Sequence, residues 1–462
     1  MWINEGMAVF SEYLFAEDLY GKQQARSDMH GDLFTVLNTA HKQEDGYQPI
    51  SGIPRVHTYG THTYRKGALV GHNLRVKLGD QKAFSGFTDF LDSNEFSAVN
   101  SYDFRDGMSR ATGVDLTEFF EDWVFSPGLP CYVIDSFEVS ASAGLYTVEL
   151  TVRQLKANSD HFFGKIPLEV KFMDAQFNEY LETIEVGGEL STFKLQIPIN
   201  ASYATLNPTY NLNYAMTATD QVVRSASSLN NQGLVINGQV STVTDSVYIR
   251  AQTYWTGPNI SLRNAVNLGV RVTTNRFWRI DGIGDATVSF SGFYNAKKGE
   301  NDFGLLKSSE DSIVVLYREK PENPWEIYKN PIMNIGLLTD SLGGFRIENG
   351  ALGEYTLAEY DSAFNESLFD FIGEKLSESK SYLDVFPNPS NGLVSIRTRE
   401  GIDVNITILN SYGSEVWLSE VESTAVEIDV SNWPSGVYYI LGYEEGDAKS
   451  AKPIDYKRLI VE

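Results

Sequence analysis

The sequence has almost no cysteine. Its single thiol, Cys131, rules out any intramolecular disulfide in 462 residues. Exported proteins often carry several such bridges, so their lack speaks against export unless the domains are large enough to fold without staples. Cys131 follows Pro130 and opens the apolar run "CYVI", which marks it as a small buried side chain. Basic residues are scarce as well: 37 Lys and Arg stand against 61 Asp and Glu, a net charge of −24. That balance argues against nucleic acid and anionic membrane surfaces as partners. No stretch approaches the roughly 18 consecutive apolar residues of a transmembrane segment. The opening does not read as a secretory leader either, since its pattern is amphipathic from Trp2 onward.

What is present is a normal globular composition, 42% hydrophobic and 13% aromatic, in a chain too long for one core; three or four domains are expected. Residues 1–130 read as helical. In the opening "MWINEGMAVFSEYLF", Trp2, Ile3, Val9, Phe10 and Leu14 recur at helical intervals, and Glu5 and Glu12 fall on one side. "LRVKLGDQKAFSGFTDFLD" and "VDLTEFFEDWVF" carry the same period, with Asp115 predicted as an N-cap and Glu118 completing a capping box. "QEDGYQPISGIPRVHTYG", between the first helix and the next, reads as a surface loop. From "SPGLP" onward the period becomes two, as in "YTVELTV" and "KIPLEVKF", and "FMDAQFNEY" reads as a hairpin turn. The expected organisation is a β-sandwich over residues 131–220, a polar boundary at "RSASSLNNQG", and a second β-rich domain over 221–372. A polar linker, "GEKLSESKSYLD" at 373–384, and a small C-terminal β-sandwich over 385–462 complete it. The fold class is therefore multidomain α + β, with two β-sandwich-like regions between a helical start and a small β end.

Three stretches of the helical region resemble one family. "WINEGMAVFSEYL" resembles the "W-L-N-E-G-F-A-x-x-x-E-Y-L" helix of the gluzincin aminopeptidases, zinc metallopeptidases that include alanyl aminopeptidase and leukotriene hydrolase. "THTYRKGALVGHNLRVKLGDQKAF" is similar to that family's "Y-x-K-G-A-x-x-x-x-x-L-x-x-x-L-G-D-x-x-F", with Lys66, Gly67, Ala68, Leu74, Leu78, Gly79, Asp80 and Phe84 in agreement. "ATGVDLTEFFEDWVFSPGLPCYVI" resembles the end of its helical domain. The resemblance implies that residues 1–130 are the helical C-terminal end of a metallopeptidase catalytic domain. It implies Glu5 as the third protein ligand to zinc, with Asn4 and Glu12 beside it on the same helix, and Tyr64 as the catalytic tyrosine. Residues 131–220 resemble, more loosely, the β domain that follows in this family.

The chemistry needs these residue types. A catalytic zinc takes three protein ligands and leaves a fourth position for water, whose pKa it lowers so that hydroxide can attack a peptide carbonyl. A phenol, with pKa about 10, stays protonated and can donate a hydrogen bond to the resulting oxyanion. The family's other two ligands and its general base lie in an H-E-x-x-H helix about eighteen residues before the ligand Glu. None of the six histidines here, His30, His41, His57, His62, His72 and His161, sits in that pattern, and the family's "G-x-M-E-N" stretch is absent too. The expectation is a truncated chain: zinc belongs to the intact parent, and this chain alone holds none. Its first helix would then lack a neighbour and expose Trp2 and Phe10. His57, His62 and His72 read as polar loop and helix surface, with a second metal site as the alternative.

The tail carries a second resemblance. "LDVFPNPSNGLVSIRT", "VNITILNSYGSEVW", "IDVSNWPSGVYYI" and "YKRLIVE" are similar, in order, to the C-terminal sorting domain of type IX secretion cargo in Gram-negative bacteria. Pro387 and Pro389 bar a helix there, and Gly392 and Gly436 permit turns. This implies export through the periplasm, with the type IX secretion machinery as partner through residues 385–462, to the cell surface or the medium. The functional expectation is a C-terminal fragment of a secreted zinc-dependent aminopeptidase, a hydrolase of peptide substrates. Its alternatives are a non-catalytic exported β-rich surface binding protein with a remnant peptidase domain, and a sorting-competent adhesin. "NRFWRIDG" at 275–282 does not separate them.

Overall fold

The structure, a computed structural model, describes residues 1–142, 144–230, 233–361, 383–398, 404–410, 415–419, 425–434, 436–444 and 455–461. The first 125 residues fold into α1 (Trp2–Tyr20), α2 (Lys22–Thr35), α3 (His41–Gln43), α4 (Gly67–Leu78), α5 (Asp80–Ser93), α6 (Ser101–Thr112) and α7 (Thr117–Phe120). Three π turns interrupt them at Val36–Ala40, His62–Lys66 and Glu121–Phe125. Helix α1 packs against α2 and α4.

Two expectations for this region are corrected. Trp2 and Phe10 are buried, at 2% and 1% exposure. Their cover comes from within the chain: Trp2 packs on Phe104 and Phe120 and donates its indole N–H to Ser101 Oγ at 3.0 Å, while Phe10 meets Phe87 edge-on. The exposed apolar stripe of α1 is instead Phe15 and Leu19. Asp115 accepts from the Thr117 amide at 2.9 Å, but Leu116 stands at the cap position and no box forms with Glu118. The full capping box lies at α6, where Asn100 and Asp103 exchange side-chain and backbone hydrogen bonds.

Two three-stranded sheets follow, built from β1 (Leu129–Ser142), β2 (Leu145–Ala157), β3 (Ile166–Met173), β4 (Glu179–Val186), β5 (Leu190–Ile197) and β6 (Tyr203–Leu206). Their orders are β1-β2-β5 and β4-β3-β6. The alternating residues Val148, Leu150 and Val152 of one and Ile166, Leu168, Val170 and Phe172 of the other join one core. That core is continuous with the helices, through contacts such as Trp123 edge-on to Phe163 at 5.0 Å. Cys131 is buried in it, and burial pushes its thiol pKa up.

The next unit comprises β7 (Met216–Val223), β8 (Ser227–Ser228), β9 (Ile236–Val243), β10 (Val247–Tyr254), α8 (Leu262–Leu268), β11 (Val270–Ile283), β12 (Ala286–Asn295), β13 (Ile313–Arg318), β14 (Glu326–Ile327), β15 (Ile332–Asn334), β16 (Leu342–Gly350) and β17 (Gly353–Tyr360). A six-stranded sheet, β14-β13-β17-β11-β10-β7, shares a core with a five-stranded one, β15-β16-β12-β9-β8. The expected boundary between 220 and 221 falls inside β7, which pairs with β10 from Met216 to Val223. Alternation reports which face of a strand is buried but not which strand it pairs with, and Met216 and Ala218 of β7 also join the core of the helices and the first two sheets. Part of the expected polar boundary is itself a strand, since Ser227 and Ser228 pair with β9.

The last unit has the sheets β18-β19-β22 and β21-β20-β23-β24, built from β18 (Leu383–Phe386), β19 (Leu393–Thr398), β20 (Val404–Asn410), β21 (Glu415–Ser419), β22 (Ala425–Asp429), β23 (Gly436–Glu444) and β24 (Asp455–Val461). Its own core includes Ile396, Ile406, Ile408, Ile440 and Leu459. Of the expected linker at 373–384, residues 373–382 lie outside the described residues, while Leu383 and Asp384 already pair with Thr398 and Arg397 in β18. The whole is a multidomain α + β molecule with several sheets.

Candidate active site

The site is built on a close crossing of two backbones. A Cβ added at Gly6 of α1 would lie 2.9 Å from Gly67 Cα and from the Thr63 carbonyl oxygen, and one at Gly67 would lie 3.1 Å from Gly6 Cα. Only glycine at both positions lets α1 approach the start of α4 this closely. The crossing sets Glu5, one residue from Gly6, beside the π turn that carries Tyr64. In that turn the Gly67 amide donates to the His62 carbonyl, and the wider spacing moves Tyr64 out of α-helical register.

Tyr64 and Glu5, both part-exposed, face each other. The Tyr64 pKa is raised, first by desolvation and then by hydrogen bonding to Glu5 and by that carboxylate's charge. The phenol therefore keeps its proton at neutral pH. Asn4 and Glu12 occupy exposed positions of α1. The structure thus brings Glu5 and Tyr64 together and leaves Asn4 and Glu12 on the helix surface.

A buried polar group lies behind the turn. Glu44 accepts from the Thr61 amide, from the His62 amide at 3.3 Å and from His62 Nδ1 at 2.7 Å. His62 Nε2 accepts from the Gln48 amide at 3.1 Å, and Lys66 Nζ donates to the Gln48 carbonyl at 3.0 Å. Burial alone would raise the Glu44 pKa; the hydrogen bonds from His62 and the two amides outweigh it and hold the carboxyl below its ordinary range. Burial lowers the His62 pKa and pushes the Lys66 ammonium down to about 7. Sequence reasoning singled out Lys66 and His62 but missed Glu44 and Gln48. Glu44 and Gln48 belong to the stretch read as a surface loop, yet Glu44 is only 3% exposed. No periodicity marks them, because their partners lie across a non-helical segment.

The histidines do not assemble a second metal site. His57 pairs with Asp45 at 3.2 Å, His62 with Glu44, and His72 Nε2 bonds to the Asn211 carbonyl at 2.9 Å. His161 pairs with Asp122 and Asp160. Among the described residues no group of three or more His, Cys, Asp and Glu side chains could hold a metal ion. The residues present offer one carboxylate, Glu5, and so do not by themselves fit a zinc that needs three protein ligands.

Residues 1–123 match the profile of the Peptidase family M1 domain, and residues 384–454 that of the Secretion system C-terminal sorting domain. The chain carries a peptidase M1 domain, of the aminopeptidase N family, and a type IX secretion C-terminal sorting domain. Among curated proteins it is similar to Probable aminopeptidase 2 of Sulfurisphaera tokodaii, at 24% identity over 44% of this chain and 26% of that protein. It is similar to Aminopeptidase N of Lactobacillus delbrueckii subsp. lactis, at 23% identity over 37% and 20% respectively. A longer alignment, 21% identical over 82% of this chain and 44% of that protein, relates it to Leucyl aminopeptidase of Saccharolobus solfataricus. The chain thus spans 20–44% of the length of these relatives. The M1 aminopeptidase family is zinc-dependent. The sorting domain indicates export, to the cell surface or the medium. Among the described residues no helix is long and apolar enough to cross a membrane.

Proposed function

We propose that residues 1–130 are the helical part of a zinc aminopeptidase catalytic domain in which Glu5 is one metal ligand and Tyr64 the hydrogen-bond donor to the oxyanion. The observation that carries this reading is the Gly6–Gly67 crossing, which sets the Glu5 carboxylate against the Tyr64 phenol inside the stretch that matches the M1 family. The other two ligands and the general base would come from an H-E-x-x-H helix outside these 462 residues. The chain by itself is then inactive and holds no catalytic zinc. In the complete site Tyr64 keeps its proton and points it at the tetrahedral oxygen; Glu5 contributes a negative charge to the ligand set. Peptides are the substrate class, and the type IX secretion machinery reads residues 385–462 during export.

The test uses the longest in-frame protein encoded around these codons, assayed on an aminoacyl arylamide. Tyr64→Phe removes one oxyanion donor and should lower kcat on the order of 100-fold or more, with zinc retained. An unmodified protein with neither zinc nor hydrolysis would sink this reading and favour the exported binding protein.

A further inference from the structure

We infer that Glu44, Gln48, His62 and Lys66 form a clamp that positions Tyr64, so that the aim of the phenol is set from behind its own turn. The functional meaning of the clamp rests on the reading of Tyr64 given above; its geometry does not.

A π turn is rare, inserts one extra residue into the helix and is frequent at functional sites. Here the holding groups converge on one residue. The side chain two positions before Tyr64 and the side chain two positions after it bond to the N–H and the C=O of Gln48, at 3.1 Å from His62 and 3.0 Å from Lys66. Gln48 is itself tied down, because its side-chain amide donates to the carbonyls of Glu44 and Asp45, each at 3.2 Å. Glu44 then closes the start of the turn by accepting from Thr61 and from His62. Gly60 makes room for this carboxylate, since a Cβ there would lie 2.4 Å from its carbon. On the outer side Arg65 pairs with Asp32, which also accepts from the Tyr13 hydroxyl at 2.6 Å and so ties the turn to α1 and α2.

His62 is 0% and Lys66 2% exposed. Burying a lysine on the Gln48 carbonyl, with no carboxylate in contact among the described residues, costs stability that an apolar side chain would not. What the polar groups supply instead is direction. His62 donates from Nδ1 and accepts at Nε2, so its ring orientation is fixed from both ends. With His62, Arg65 and Lys66 anchored and Thr63 buried, Tyr64 is the side chain of the turn left to reach Glu5. Glu44, Gln48, His62 and Lys66 are positioning residues and do not touch the reacting atoms.

The test places a fluorotyrosine at position 64 of the full chain and records its fluorine NMR signal in four backgrounds: unmodified, His62→Phe, His62→Gln and Lys66→Met. The clamp requires a single resonance in the unmodified chain. It requires a shifted or split one in His62→Phe and in Lys66→Met, and recovery in His62→Gln, which can still donate to Glu44 and accept from Gln48. Lys66→Met keeps the length and packing of the side chain, so it carries the test if His62→Phe does not fold. An unmoved resonance in folded Lys66→Met overturns the clamp, as does a His62→Gln signal no closer to the unmodified one than that of His62→Phe. The zinc and hydrolysis measurements are independent of this spectrum, so failure of the peptidase reading and failure of the clamp are told apart.

Discussion

At the scale of single residues, the proposed site depends on two missing side chains as much as on Glu5 and Tyr64, the two proposed to carry the chemistry. Gly6 and Gly67 were legible only as letters of a motif; the structure supplies the physical reason, a backbone-to-backbone approach with no space for a Cβ. Gly6→Ala should therefore destabilise the chain by about 1–3 kcal/mol, because the added carbon meets backbone that cannot swing aside. Urea unfolding should show a lowered midpoint, with a smaller loss in Gly67→Ala, where the nearest atom is 3.1 Å away. Equal stability of Gly6→Ala and the unmodified chain would mean that the crossing is looser than described. Glu5 and Tyr64, which the structure sets side by side, each sit in a dense local sequence pattern that singles them out as candidates. Glu44 and Gln48 could not be singled out this way, since what gives them meaning is contact with His62 and Lys66 across a loop.

At the scale of elements, period told helix from strand and assigned the buried faces of β2 and β3. It failed where pairing mattered. β7 shows no clean alternation, and its ladder with β10 is what places it in the six-stranded sheet. The expected exposure of Trp2 and Phe10 failed for a related reason, since α4 to α7 of the same chain cover them. One junction between elements is held by charge. His161, on the loop between β2 and β3, bonds at 2.9 Å to Asp122 of the last π turn, and Asp122 also accepts from the Gly164 amide at 2.6 Å. The hydrogen bond to Asp122 raises the His161 pKa above 6.5 to about 9, against burial, with Asp160 adding to the shift. A folded pKa above the unfolded one means that protonated His161 stabilises the fold. The contribution is full below about pH 6.5 and is lost as pH rises through about 9. The melting temperature of the unmodified chain should therefore exceed that of His161→Gln at pH 6, and the gap should close by about pH 10. A gap that stays constant across that range would remove the ion pair from the account.

At the scale of the whole molecule, the cores define what can stand alone. The helices and the first pair of sheets share one core, which also takes in Tyr254, Trp255 and Phe277 of the next unit. The C-terminal unit has a core of its own. Ending the chain at residue 361 should leave the melting temperature of the remainder within about a degree or two, as expected for a unit that folds separately. A large drop would show that the tail supports the rest. The sorting tail was readable from its motifs; the shared core was not, because a buried residue in the sequence does not say whose core it joins.

The account stands or falls on Glu5 as a metal ligand. The direct measurement is zinc per chain, by elemental analysis after dialysis, in the longest in-frame protein encoded around these codons and in its Glu5→Ala variant. The account predicts about one zinc per unmodified chain and a large loss in the variant, since a catalytic site left with two protein ligands holds its metal poorly. Equal zinc in the two proteins, or none in either, would contradict it.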